Sequence, residues 1–221
     1  MKKELRPKLH VYIVNLEKRT DRRIHSKKEF DGREEFDARF VTPFKHEKGH
    51  VSLYKTFKAI VNREYREGSA YFVFCEDDHY FTDAYSREEL YAAIDDAQAR
   101  GADILMGGVS AAKKSVIVSP HLGKVDFFNG TQFCVVFNKF YKTILYTNMK
   151  ETEHGIDWFI SYLSDDKYVS VPFISKQARF DYSDCCPVND ENPDRVQQLF
   201  DETEKKMLHM KRFTASAHVP L

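Results

Sequence analysis

Apolar positions along this chain follow two rhythms: short continuous runs, and stripes with three- or four-residue spacing. The runs fall at residues 9–16, 36–41, 71–75, 103–106, 132–137 and 168–171. They are rich in β-branched and aromatic residues, which predicts strands. The stripes predict amphipathic helices. One carries Leu53, Phe57, Ile60 and Val61, and a second carries Leu90, Ala93, Ile94 and Ala97. A third, near the C-terminus, carries Val196, Leu199, Phe200, Met207 and Met210. Ser86-Arg87-Glu88-Glu89 fits a capping box, and Thr20, Ser52 and Asp194 are further N-cap candidates. Gly68 and Gly101 are natural helix stops. Residues 115–119 and 124–128 read as a strand pair around Pro120-His121-Leu122-Gly123, and residues 139–146 and 154–160 as helices. Alternating strands and helices put the chain in the α/β class.

Composition narrows the partners. The 34 basic residues balance 34 acidic ones, so no electrostatic footprint points to nucleic acid. At 221 residues the chain is expected to form one domain with a real core. No run approaches the roughly 20 apolar residues of a membrane span, and the N-terminus lacks a signal-peptide core. Cys75, Cys134, Cys185 and Cys186 show neither zinc spacing nor a disulfide framework. They read as reduced thiols of a cytoplasmic protein.

The candidate chemistry begins where the run at Tyr71 meets Glu76-Asp77-Asp78-His79. Three adjacent carboxylates at a strand end sit at the rim of the sheet, where open α/β sheets place ligands. Their mutual repulsion asks for positive charge, and a divalent cation with hard oxygen ligands (Mg2+ or Mn2+) answers it. If strand geometry persists, Glu76 and Asp78 point one way and Asp77 the other. His79 could add a nitrogen ligand or simply pack beside the site. An acidic turn facing solvent is the plain alternative. After the first run come Arg19, Arg22 and Arg23. Arginine forks at a strand-to-helix turn match diphosphate oxygens, though a solvated basic helix face would look the same. Gly107-Gly108 allows close backbone approach to a ligand, or a plain turn.

Several segments together resemble glycosyltransferase family 25, the lipopolysaccharide and lipooligosaccharide glycosyltransferases related to collagen galactosyltransferases. They are Val11-Tyr12-Ile13-Val14-Asn15-Leu16 with Arg19, Asp21, Arg22 and Arg23; the strand ending in Glu76-Asp77-Asp78; Gly130-Thr131-Gln132-Phe133 through Phe137; and Ile156-Asp157-Trp158 followed by Ser183-Asp184. The chain departs from that family at Lys48-Gly49-His50-Val51-Ser52-Leu53-Tyr54, where a Gly-x-x-Gly-Cys-x-x-Ser-His block is usual.

The resemblance implies a GT-A-type nucleotide-sugar-binding sandwich with a mixed, mainly parallel sheet. Residues 9–108 would form the nucleotide-binding half, 109–190 the acceptor side, and 191–221 a C-terminal helix and tail. It implies inverting transfer of a hexose, galactose favoured, from a UDP-sugar to a glycan or lipid-linked glycan, with peripheral contact at the inner face of the membrane left open. Asp78 and Glu76 would hold Mn2+ or Mg2+. Asn15, Arg19, Arg22, Arg23, Glu76, Asp77, Thr131 and Gln132 would bind the donor. Asp157 would be the general base, with Asp184 as second choice. Turn and N-cap roles are the ordinary alternatives for both aspartates. A non-catalytic sugar- or nucleotide-binding protein is the rival reading. A two-metal phosphohydrolase would want more His and Asp ligands on neighbouring strand ends.

Overall fold

A computed structural model describes residues 6–150, 155–180 and 194–216. The central sheet has eight strands. In chain order they are β1 (Leu9–Val14), β2 (Phe36–Val41), β3 (Tyr71–Glu76), β5 (Ile104–Met106), β7 (Val116–Ile117), β8 (Leu122–Lys124), β10 (Phe133–Phe137) and β11 (Lys167–Ser170). Two small antiparallel pairs lie beside it, β4 (His79–Phe81) with β12 (Ser175–Gln177), and β6 (Ala111–Lys113) with β9 (Phe127–Asn129). The helices are α1 (Thr20–Phe30), α2 (Gly49–Glu67), α3 (Arg87–Ala99), α4 (Asn138–Tyr146), α5 (Ile156–Leu163) and α6 (Arg195–Ser216).

The sheet order is β2-β1-β3-β10-β5-β11-β8-β7. Only β10 and β8 run against the other six strands. This is the α/β sandwich with a mixed, mostly co-directional sheet expected from the sequence. Its central strands are buried on both faces, and alternation divides their side chains. Leu9, Val11 and Ile13 of β1 and Val73 and Cys75 of β3 pack on one face with Phe30 of α1 and Leu90, Ile94 and Ala97 of α3. Tyr12, Val14, Phe72 and Phe74 pack on the other face with α2, α4, α5 and α6, through Phe57, Ile60, Tyr141, Ile160, Phe200 and Met207.

Ser86 accepts the Glu89 amide as the α3 cap, at 3.1 Å, and Gly101 follows the helix at φ +68°. Two N-cap expectations fail. α1 starts at Thr20 itself, with Arg19 in the capping place and no side-chain cap bond. α2 starts at Gly49, and the Ser52 hydroxyl donates to the Phe44 carbonyl instead. The predicted strand over 124–128 is broken: β8 stops at Lys124 and β9 starts at Phe127 to pair with β6. Strands of two or three residues such as β4, β6 and β12 carry too little alternation to be legible.

Gly107-Gly108 brings backbone against backbone. The Ile174 amide donates to the Gly107 carbonyl at 2.8 Å, and a Cβ on Gly108 would lie 2.2 Å from the Ser175 carbonyl oxygen. Both are fixed main-chain contacts, so Gly108→Ala must push the β12 segment off the end of β5. We expect a loss of about 3 kcal/mol, read by urea unfolding. A variant within about 0.5 kcal/mol of wild type would show that this contact yields freely.

Candidate active site

The site forms where strand ends meet. β1, β3 and β5 reach their C-terminal ends on one edge of the sheet, and the antiparallel β10 begins there. Its register, Phe133 opposite Cys75, sets Gly130-Thr131-Gln132 beside the acidic triplet. The Glu76 amide donates to the Gln132 carbonyl at 3.0 Å. A cavity of about 600 Å³ opens over this edge. Its wall includes Arg19, Arg22, Glu76, Asp77, Asp78, Thr131, Asp157 and Trp158.

Strand geometry ends at Glu76, and the triplet splits differently from the expected alternation. Asp77 and Asp78 form the turn into β4 and share one arginine. Arg22 Nη1 lies 3.1 Å from Asp77 Oδ1 and 3.1 Å from Asp78 Oδ2. Arg19 Nη1 lies 3.6 Å from Asp77 Oδ1. Asn15 donates to Asp77 Oδ2 at 2.9 Å, and Ser26 donates to the Asp77 carbonyl at 2.9 Å. Asp77 is 3% exposed and Asp78 5%. The positive charge that the triplet demanded is supplied in large part by α1.

Arg19, Arg22 and Ser26 fall three and four residues apart and share one helical face. Arg23 turns away: it is exposed, and its guanidinium lies 4.1 Å from the Phe40 ring centroid, outside the cavity wall. The sequence grouped the three arginines; helical phase separates the third.

Glu76 takes its own direction, accepting the Thr131 hydroxyl at 2.6 Å through Oε1. Burial and the nearby Asp78 charge push its carboxyl up to about 8. Asp78 is raised to about 6, mainly by burial and against the pull of Arg22. Its Oδ2 also accepts from Gln177 of β12 at 3.0 Å, whereas its buried Oδ1 has no partner among the described residues. Asp78 lines the cavity, and this orphaned buried oxygen beside it fits a one-point anchor for a divalent cation, the remaining positions going to substrate oxygens and water. Glu76, engaged with Thr131, does not complete a compact ligand cluster with it.

One His/Glu group among the described residues does gather ligand atoms within 4.8 Å, namely His10, Glu64 and Glu67. It lies at the opposite end of β1, and local partners account for it. Glu64 accepts from Tyr12 and pairs with His10, and Glu67 pairs with Arg63.

Several expected site residues have supporting positions. Asn15 does not line the cavity; it steadies Asp77 and the Arg19 carbonyl. Gln132 is buried, with its amide donating 2.9 Å to the Gly108 carbonyl rather than into the cavity. His79 is fully buried, hydrogen-bonded to the Ser175 hydroxyl at 2.7 Å and stacked on Phe133. Desolvation holds its imidazole neutral, and it packs beside the site. Asp184, with Ser183, lies outside the described residues.

Asp157 stands in the first turn of α5. Its Oδ2 accepts the Gly130 amide at 3.1 Å and its Oδ1 the Trp158 amide at 2.9 Å. Gly130 adopts φ +112°, which favours glycine. A Cβ on Gly155 would lie 2.6 Å from Asp157 Oδ1. Two glycines thus shape the seat of this carboxylate.

The first turn of α2 also lines the cavity, through Gly49, His50 and Ser52. A helix N-terminus carries partial positive charge and suits an anion. No hydrophobic run marks it in the sequence; its value comes from where the loop after β2 delivers the helix start.

No protein-family model matches the chain, and no curated protein matches it in sequence. Among solved structures, apo UDP-glucose pyrophosphorylase aligns with 90% of this chain and 82% of its own, at 14% identity and a TM-score of 0.43. UDP-glucose pyrophosphorylase complexed with UDP-glucose aligns with 90% of this chain and 81% of its own, at 11% identity and a TM-score of 0.44. These likenesses are weak.

Proposed function

We propose that this cavity binds a nucleoside diphosphate sugar and that the chain is a divergent family 25 glycosyltransferase, transferring a hexose, galactose favoured, from a UDP-sugar to a glycan acceptor with inversion. The observation that carries the reading is the Arg19–Arg22–Asp77–Asp78 cluster built into the cavity wall. Two arginines fixed by buried carboxylates are preorganised for a diphosphate, and the α2 N-terminus adds to the same field. A divalent cation at Asp78 Oδ1 would supply charge neutralisation for the departing diphosphate. Asp77 keeps both arginine heads oriented. Asp157, its carboxylate held by two backbone amides, would accept the proton of an acceptor hydroxyl.

That both Asp157 oxygens already accept backbone amides also favours the rival reading, a sugar- or nucleotide-binding protein in which Asp157 only anchors α5. The two readings separate cleanly. Under the transferase reading, Asp157→Asn retains donor binding and loses transfer by at least about a hundredfold.

The binding half is tested by melting temperature with UDP, UDP-galactose, UDP-glucose and UDP-N-acetylglucosamine, each with and without Mn2+, for wild type and Asp78→Asn. A ligand specific to the folded state raises stability by mass action. A shift that requires nucleotide and metal, and that shrinks in the variant, is the expected result. A folded protein indifferent to every nucleotide would overturn the proposal.

A further inference from the structure

The cavity does not end at Asp157. α5 and β9 leave its mouth side by side, tied by the Ser161 hydroxyl, which accepts the Phe128 amide at 3.2 Å. Both elements carry aromatic residues outward in phase with their own periodicity. On β9, Phe127 and Asn129 share a face; Asn129 lines the cavity and Phe127 stands farther out. On α5, Trp158 and Tyr162 are four residues apart on one face. Trp158 lines the cavity, while Tyr162 is 76% exposed. Phe127 joins the two, with ring centroids 4.7 Å from Trp158 at 89° and 6.2 Å from Tyr162 at 72°. The Lys113 ammonium lies 5.2 Å from the Phe127 ring centroid.

We infer that Trp158, Phe127 and Tyr162 form the acceptor subsite for a glycan of two or more sugar units, an inference that rests on the transferase reading of the adjoining cavity. The chemistry of the ridge selects this occupant. A pyranose has apolar C–H faces bounded by hydroxyls. The ridge offers ring faces bordered by hydrogen-bonding groups: Lys113, the Tyr162 hydroxyl, and Asn129 at the cavity wall. Four residues of helix rise about 6 Å, roughly one pyranose unit, so Trp158 and Tyr162 are spaced for successive sugars. The inner end adjoins Asp157, where the acceptor hydroxyl must lie for its proton to be taken. A monosaccharide would reach Trp158 alone, and a longer glycan would also use Phe127 and Tyr162.

Trp158 is the only tryptophan in the chain, so intrinsic fluorescence reports the ridge directly. Galactose, lactose, cellobiose and maltose would be titrated with and without saturating UDP and Mn2+, on wild type and Tyr162→Ala. UDP affinity would be measured in parallel by calorimetry. The expected result is a saturable emission change, tighter for at least one disaccharide than for galactose. Tyr162→Ala should weaken the disaccharide three- to tenfold while leaving galactose and UDP binding within twofold. UDP binding without any saccharide response overturns the ridge alone. A saccharide response without UDP binding upholds the ridge and overturns the donor site, and silence to both overturns both. Emission that varies with protein concentration alone, with no saccharide response, would assign the ridge to a second copy of the chain and overturn the glycan reading.

Discussion

Arg22→Met is expected to abolish nucleotide binding and to cost about 3–5 kcal/mol of stability at neutral pH. Arg22 Nη1 bridges Asp77 and Asp78, and the guanidinium also lies 4.6 Å from the Phe180 ring centroid. Methionine keeps much of the volume and the apolar stem but leaves two buried, adjacent carboxylates facing each other. Removing one partner of a buried ion pair is costly because the other charge remains desolvated. The loss should depend on pH in a definite direction. In the variant Asp78 loses the arginine that pulls its carboxyl down and is pushed further up, so the folded state holds a proton that the unfolded chain has released, and stability is regained as pH falls. Urea unfolding at pH 5 and pH 8 checks this. An equal loss at both values would mean that the arginine matters for packing rather than charge. Arg22→Lys should recover part of the stability but little of the nucleotide affinity, since an ammonium cannot reproduce the fork.

Glu76→Gln should abolish a pH dependence that wild type displays. Burial raises this carboxyl from 4.5 to about 8 in the folded state. Between those values the folded protein binds more protons than the unfolded chain, so stability falls as pH rises through the window. Asp78, raised from 3.8 to about 6, adds a shallower fall at lower pH. Glutamine is a neutral stand-in for the protonated acid, and its carbonyl can still accept the Thr131 hydroxyl. The variant should match wild type near pH 4.5 and exceed it near pH 8.5 by a few kcal/mol. The Asp78 contribution should survive as a residual slope below pH 6. Parallel stability curves for the two proteins would mean that Glu76 is ionised in the folded state throughout.

Part of this geometry was legible before the fold. The run from Tyr71 announced a strand that ends at the acidic triplet, and β3 ends at Glu76. The direction of each carboxylate was not legible. Alternation holds only inside a strand, and β3 stops at Glu76, so Asp77 and Asp78 turn together toward α1. The arginines were visible as a group, but only helical phase shows that Arg22, three residues after Arg19, faces the triplet while Arg23 does not. Gln132 read as a binding residue because of its neighbours; its amide is consumed by the Gly108 carbonyl. Gly107-Gly108 reads as close approach to a ligand or as a plain turn; what approaches is the chain's own backbone at Ile174 and Ser175. The first turn of α2 reads in sequence only as the place where the usual Gly-Cys/Ser-His block is replaced; that Gly49, His50 and Ser52 line the cavity follows from the path of the chain after β2.

The most direct test of the central claim, that the arginine–carboxylate cavity is the nucleotide site, is amide chemical-shift mapping of isotope-labelled protein titrated with UDP and Mg2+. Perturbations are expected at Leu16 to Arg22, Glu76 to Asp78, Asn129 to Thr131 and the first turn of α2, with the strands away from that edge undisturbed. Shifts gathered instead around His10 and Glu64, at the other end of β1, or no shifts at all in a well-dispersed spectrum, would contradict it.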